Sequence, residues 1–251
     1  MITIVIAAYN EEQRIGKSLL KIKDYLEAQD FAYEIIVVDD GSTDNTKQMV
    51  VGYKPEIANL KIVSYPKNKG KGHALRQGVL ASKGETVLIS DADLSTPIEE
   101  LSHMLPLISS REHDVVIGSR ALETSKILKK QPWWRQGMGK IFNKIVTLLV
   151  LEGFNDTQCG FKLFSGKVAR NLFKDACVNR FAFDVEILAL ARKRGYRVSE
   201  VPVRWINSPD SKVNPIFDSL QMLFDLVKIR LRIGKAKLKK MNIEHRTSNI
   251  E

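Results

Sequence analysis

Residues Val87–Ser95 read VLISDADLS, and the reading of this stretch decides the fold. An apolar run predicts a buried strand, and it ends in two aspartates, Asp91 and Asp93, separated by Ala92. In an extended backbone residues i and i+2 share a side, so both carboxylates would face one small volume. They repel there unless a cation joins them. Oxygen-only ligands suit Mg²⁺ or Mn²⁺, ions that share their coordination sphere with substrate phosphates. The alternative is a pair of acids serving the helix that starts after Thr96-Pro97, through Ser95 and the helix dipole. The flanking segments choose between the two.

Working outward, four more segments have the same buried-strand character: Ile2–Ala8, Tyr33–Asp40 (YEIIVVDD, again ending in paired acids), Leu60–Ser64 and Asp114–Gly118. Helical spacing lies between them. Glu11–Ala28 places Ile15, Leu19, Leu20, Ile22 and Leu26 on a helix, Gly41–Asn45 supplies turn and N-cap chemistry, and further helices end at Ala81 and run near Ile98–Ser109. Alternation of strands and helices predicts an α/β fold with a mostly parallel central sheet flanked by helices. Ligands of such sheets bind beyond the carboxyl ends of the strands. Tyr9-Asn10-Glu11, Asp39-Asp40, Asp91/Asp93 and Ser119-Arg120 are all expected there.

After Arg120 the texture changes. Lys126–Lys144 carries six basic residues and no acid, with Trp133-Trp134 among them; the two tryptophans suit core packing or a membrane interface equally. Met138–Leu151 is amphipathic and helical in character, Asp156–Ser165 reads as a loop and short strand, Arg180–Arg194 as a helix and Arg197–Trp205 as a final strand. Ile216–Lys240 is the last helical stretch, with a polar stripe at Asp218, Gln221, Asp225, Lys228, Arg232 and Lys235. The expected organisation is a single catalytic domain over 1–211 (a donor half 1–120 and an acceptor half 121–211), a basic amphipathic extension 212–240 and a disordered tail 241–251.

The 251 residues suffice for one substantial core. Lys and Arg number 39 against 29 Asp and Glu, a formal charge of +10 that favours an anionic partner such as a nucleotide or anionic lipid. Two cysteines form no disulfide framework, which points to a reducing, cytoplasmic setting. Ile2–Ala8 is too short for a secretory leader, and no apolar run of about 20 residues would span a bilayer. The basic, amphipathic segments predict peripheral association with a membrane surface. No RNP-like, KH-like or helix-turn-helix pattern supports a nucleic-acid partner. A dinucleotide-binding turn fails because Ala7-Ala8-Tyr9-Asn10 has no glycine, and Lys69-Gly70-Lys71-Gly72 lacks the Gly-Lys-Ser/Thr of a P-loop.

AAYNEE, EIIVVDDGSTDNT, NKGKGHALRQG, SDADLS and DVVIGSR, in this order across residues 4–120, resemble family 2 glycosyltransferases of the GT-A fold. That resemblance implies a nucleotide-diphospho-sugar donor and a divalent cation, Mg²⁺ or Mn²⁺, held by Asp91 and Asp93. It further implies donor contacts from Ala7, Tyr9, Glu11, Val37, Asp39, Asp40, Lys71, Asp91 and Ala92, one acid of the Asp39-Asp40 pair bonding the uracil or ribose. In the second half, DTQCGFKLF, RFAFDVE and VPVRW resemble dolichyl-phosphate β-glucosyltransferases, with polyprenyl-phosphate mannose synthases as close cousins. By that likeness Arg120 and Arg135 meet the acceptor phosphate and Lys212 sits in a loop closing near the diphosphate.

The reaction so implied is an inverting displacement that moves glucose from UDP-glucose to a polyprenyl phosphate, with Asp93, Arg120 and Asp156 as catalytic residues. Asp156 is expected to be the acid nearest the acceptor, with Asp184 and Glu186 as alternatives. A lipid phosphate is already anionic, which suits a centre rich in arginine and poor in histidine. A mannose synthase using GDP-mannose, and a soluble family 2 transferase acting on a sugar hydroxyl, are the competing readings; the latter needs a general base. A separate membrane-protein partner would be compatible with either lipid reading.

Overall fold

The computed structural model describes residues 1–29, 31–129, 132–208 and 217–234, with the backbone alone at 133–136 and 140. Lys212 and the tail 241–251 lie outside the described residues, as do the side chains of Trp133, Trp134 and Arg135. The strands are β1 (Ile2–Ala8), β2 (Tyr33–Asp39), β3 (Leu60–Ser64), β4 (Thr86–Asp91), β5 (Val115–Ser119), β6 (Lys126–Lys129), β7 (Lys162–Ser165), β8 (Val198–Pro202) and β9 (Arg204–Ile206). The helices are α1 (Ile15–Ala28), α2 (Thr46–Gly52), α3 (Lys71–Ala81), α4 (Leu101–Ser109, entered through a 3₁₀ turn at Ile98–Glu100), α5 (Trp133–Leu149), α6 (Gly166–Asp175), α7 (Phe183–Lys193) and α8 (Phe217–Ile233).

Seven strands form one sheet in the order β3-β2-β1-β4-β7-β5-β8, and β6 pairs with β9 in a separate ribbon. Alternation along the strands divides the core. Ile4, Ile6, Ile35, Val37 and Leu88 face α1, α2 and α4, whereas Val5, Val87 and Ile89 face α3 and α5–α8. Helices therefore cover both faces, as the strand–helix alternation predicts.

Four features go beyond the sequence reading, α6 among them. First, β7 runs antiparallel between β4 and β5, which breaks the otherwise parallel sheet. The chain leaves the sheet after β5, builds β6 and α5 outside it, and re-enters from the carboxyl edge. The loop 156–161 that leads into β7 is thereby delivered to the edge where Asp91 and Arg120 emerge. Second, the single strand expected over Arg197–Trp205 is two: β8 closes the sheet beside β5, and β9 leaves it to pair with β6. The helix α6 between β7 and α7 is not anticipated from the sequence pattern. Third, α8 is no appendage. Met222, Leu226, Ile229 and Ile233 lie in the main core, and Gly234 (φ 78°) follows the helix with its N–H on the Arg230 carbonyl; residues 216 and 235–240 of the expected stretch lie outside the described residues.

Candidate active site

Strand ends build the site. At the carboxyl edge of β1, Ala7 and Ala8 lead into Tyr9 and Asn10; Asn10 takes a left-handed backbone (φ 55°) and its side-chain oxygen accepts the Thr43 N–H. At the end of β4 the chain turns sharply. The Leu94 N–H bonds the Asp91 carbonyl, and Leu94 itself has φ 48°, an uncommon conformation for a branched residue. Asp93 thus lies in a turn, so strand alternation is not what brings it beside Asp91. Both nevertheless line one cleft of about 360 Å³, together with Ala7, Tyr9, Glu11, Asp40, Lys71, Ala92 and Arg120.

The Lys71 ammonium, at the first residue of α3, bonds Asp91 Oδ1. Burial works against ionisation of both groups, but their mutual attraction outweighs it, holding the Asp91 carboxyl below and the Lys71 ammonium above the usual ranges. Asp93 Oδ1 accepts the Ser95 N–H at 2.9 Å, and Asp93 Oδ2 is 3.8 Å from an Arg14 guanidinium nitrogen. Arg14 also pairs with Glu11 and donates to Ser208 Oγ at 2.6 Å. The glycines of the Lys69–Gly72 segment serve close approach. A Cβ on Gly70 (φ 102°) would lie 2.5 Å from the Asn179 carbonyl oxygen, so the chain entering α7 packs directly on the start of α3.

In the same cleft, Arg120 is held by a fork to Asp156. Arg120 Nε donates to Oδ2 at 2.6 Å, Nη2 to Oδ1 at 2.9 Å, and the Arg120 backbone N–H to Oδ2 at 3.0 Å. The guanidinium also lies 5.5 Å from the centre of the Trp205 ring. Burial alone would raise the Asp156 carboxyl; the Arg120 charge and hydrogen bonds dominate and hold it below the ordinary range. Glu200 braces the loop, accepting the Asp156 N–H at 2.7 Å.

This geometry bears on three expectations. Asp156, expected to be the acid nearest the acceptor, is not among the residues lining the cleft, and its carboxylate accepts three hydrogen bonds from Arg120. Asp184 and Glu186 are likewise buried and committed, Asp184 to the fully buried Lys162 and Glu186 to Arg232. Burial pushes the Asp184 carboxyl up against the pull of Lys162 and Lys71. Val37 has its side chain wholly inside the core and cannot touch a donor through it.

Asp39 is also buried and receives the Ser42 N–H. Asp40 reaches the cleft, but its two oxygens accept Tyr65 Oη, Asn68 Nδ2 and the N–H groups of Lys69 and Gly70. Its carboxylate organises the loop into α3. Arg135 lies in the first turn of α5, where the backbone alone is described, and Lys212 lies outside the described residues.

Residues not singled out from the sequence also line the cleft: Arg14, Gln158, Gly160, Arg180, Trp205 and Asp218. Four of them stand inside motifs quoted above, Gln158 and Gly160 in DTQCGFKLF, Arg180 in RFAFDVE and Trp205 in VPVRW. Gly160 is the most constrained, since a Cβ there would lie 2.1 Å from Asp91 Oδ2.

A family model, glycosyl transferase family 2, matches residues 3–173. The chain belongs to this family. Curated relatives of this family 2 glycosyltransferase include a dolichyl-phosphate beta-glucosyltransferase of Trichomonas vaginalis, 40% identical over 239 residues (91% of this chain, 70% of the relative). The Homo sapiens dolichyl-phosphate beta-glucosyltransferase is 35% identical over 243 residues (92% and 75%). Among solved structures, a mannosyltransferase from Pyrobaculum calidifontis in complex with GDP-Man and Mn²⁺ shares the fold at TM-score 0.64 and 21% identity, covering 94% of this chain and 65% of that one. Glucosyl-3-phosphoglycerate synthase from Mycobacterium tuberculosis, with Mn²⁺, UDP and product, gives TM-score 0.64 at 19% identity (94% and 81%). The protein is thus a glycosyltransferase with the GT-A fold expected from its motifs.

Proposed function

We propose that the protein transfers glucose from UDP-glucose to a dolichyl or related polyprenyl phosphate at a cytoplasmic membrane surface, with inversion at the anomeric carbon. The observation that carries this reading is the cleft itself. Asp91 and Asp93 line it together with Arg120, an arginine held by Asp156 and facing the Trp205 ring. Asp156, Asp184 and Glu186, the acids considered for the place nearest the acceptor, are each paired with a cation and are not among the residues lining the cleft. Such a site suits a nucleophile that arrives already ionised, as a phosphate does, better than a sugar hydroxyl needing deprotonation. The relatives' names support glucose and dolichyl phosphate.

Among the described residues no three acids, histidines or cysteines converge on a metal position. The two partly exposed aspartates fit a Mg²⁺ or Mn²⁺ whose remaining ligands are donor phosphates and water. Such an ion supplies charge neutralisation on the leaving diphosphate. In the reaction a phosphate oxygen of the acceptor forms a bond to the anomeric carbon as the bond from that carbon to the donor's β-phosphate oxygen breaks, releasing UDP. Arg120 holds the incoming phosphate, and Lys71 adds fixed positive charge beside Asp91.

Incubation with labelled UDP-glucose or GDP-mannose and a short-chain polyprenyl phosphate tests donor and acceptor together. Glucosyl phospholipid is expected, and Asp93→Ala should abolish its formation. Transfer from GDP-mannose alone, or full activity of Asp93→Ala, would overturn the assignment.

A further inference from the structure

Helix α8 is apolar twice over. At about 100° per residue, the buried Met222, Leu226, Ile229 and Ile233 share one face. Phe217, Leu220, Phe224, Val227 and Leu231 fall within roughly 80° of arc on the opposite face. These five are exposed, from 48% at Val227 to 82% at Leu231. The polar stripe runs between the two: Asp218 and Asp225 are buried, and Arg232 reaches Glu186 of α7.

Five large apolar side chains in one stripe put several hundred Å² of hydrocarbon into water, at the upper end of the ~300–600 Å² patch of an ordinary monomer. The neighbouring helix α5 adds exposed Met138, Ile141 and Leu148.

Charge identifies the occupant. The exposed ionisable residues of α8 are Lys228, Arg230 and Arg232, all cationic, and its two acids point inward. The sequence after Gly234 adds Lys235, Lys237, Lys239 and Lys240. A second copy of this chain would bring like charge against like charge, whereas anionic headgroups complement it. Among the described residues no helix is long and apolar enough to cross a membrane. An apolar stripe flanked by cations suits a helix lying in the plane of the interface.

We propose that the outward face of α8 docks the enzyme on an anionic bilayer, with Leu220, Phe224, Val227 and Leu231 among the acyl chains. The inference deepens the lipid-acceptor reading above and rests on it for its purpose. It also gives the cleft an orientation. Asp218, in the first turn of α8, lines the cleft and lies 3.5 Å from Arg180, while Arg232 ties the far end of the helix to α7. A bilayer seated on α8 therefore lies beside the cleft wall.

The test is flotation of the full chain with phosphatidylcholine vesicles, with and without phosphatidylserine, for wild type, Phe224→Glu/Leu231→Glu, and Leu80→Glu as an exposed-leucine control on α3. Wild type and the control should float with the anionic vesicles, and the double variant should partition at least about tenfold more weakly. Transfer to vesicle-borne long-chain polyprenyl phosphate should fall in step, with transfer to a short-chain water-soluble phosphate unchanged. Equal flotation of wild type and double variant, or no flotation of wild type, overturns the docking face. So does a wild-type dimer that the double variant converts to monomer without loss of flotation. Intact, α8-dependent flotation with no transfer to any lipid phosphate would sink the proposed function and leave the docking face standing.

Discussion

Replacing Gly160 by alanine tests the centre of the site with one methyl group. The added carbon would lie 2.1 Å from Asp91 Oδ2 and 2.5 Å from Asp91 Cγ and Oδ1, whereas ordinary contact begins near 3.4 Å. Gly160 is in the loop braced by Asp156 and Glu200 and followed by the central strand β7, so the loop has little room to yield. The Asp91 side chain borders the open cleft and is a third exposed, so it is the group that moves, by about 1 Å. A displacement of that size at a reacting centre costs on the order of 10²-fold in rate, about 2.7 kcal/mol of transition-state stabilisation. Steady-state kcat/KM for glucosyl transfer to a short-chain polyprenyl phosphate should fall by that factor. The apparent Mn²⁺ requirement should rise with it, because Asp91 is one of the two proposed ligands. The far-ultraviolet spectrum and melting temperature should stay close to wild type. A Gly160→Ala enzyme with wild-type kcat/KM and metal dependence would refute the argument that Asp91 acts from its observed position.

Two further outcomes separate positioning from packing. Asp156→Asn should weaken the fold by about 2 kcal/mol, less than the ~3–5 of a fully buried pair because the Arg120 side chain remains 29% exposed. Because the Asp156 carboxyl is depressed in the folded state, its contribution is complete above the unfolded value of about 3.9 and is lost as pH falls through the folded one. Urea midpoints of wild type and variant should therefore differ by a constant amount between about pH 5 and 8 and converge below about pH 4. A gap that widens toward acid contradicts this. Val37→Ala should cost about 2 kcal/mol of stability, as a buried cavity, and leave KM for the donor unchanged; a raised KM at unchanged stability would restore Val37 to the donor site.

The five apolar strand segments, four of them ending in polar clusters, and hence the α/β class and the edge that carries the site, were legible in the sequence because each strand is a short apolar run and each helix between them a local pattern of period 3.6. The glycosyltransferase motifs added the family and drew attention to Asp91, Asp93 and Arg120, which the fold brings to one cleft. Other features depend on partners far along the chain, and no local pattern encodes them. The antiparallel insertion of β7 needs β4 and β5 on either side of it. Only there does Lys162 become a buried lysine satisfied by Asp184 and the Cys159 carbonyl, and only there does Gly160 meet Asp91.

That Asp156 pairs with Arg120 was decided by the fold, since sequence gives an acid its charge and only its neighbours decide whether that charge is free. The same holds for α8. Its periodicity showed where polar residues recur, but with apolar residues on two faces the choice of which one to bury belonged to tertiary packing. The remaining apolar stripe was left facing outward.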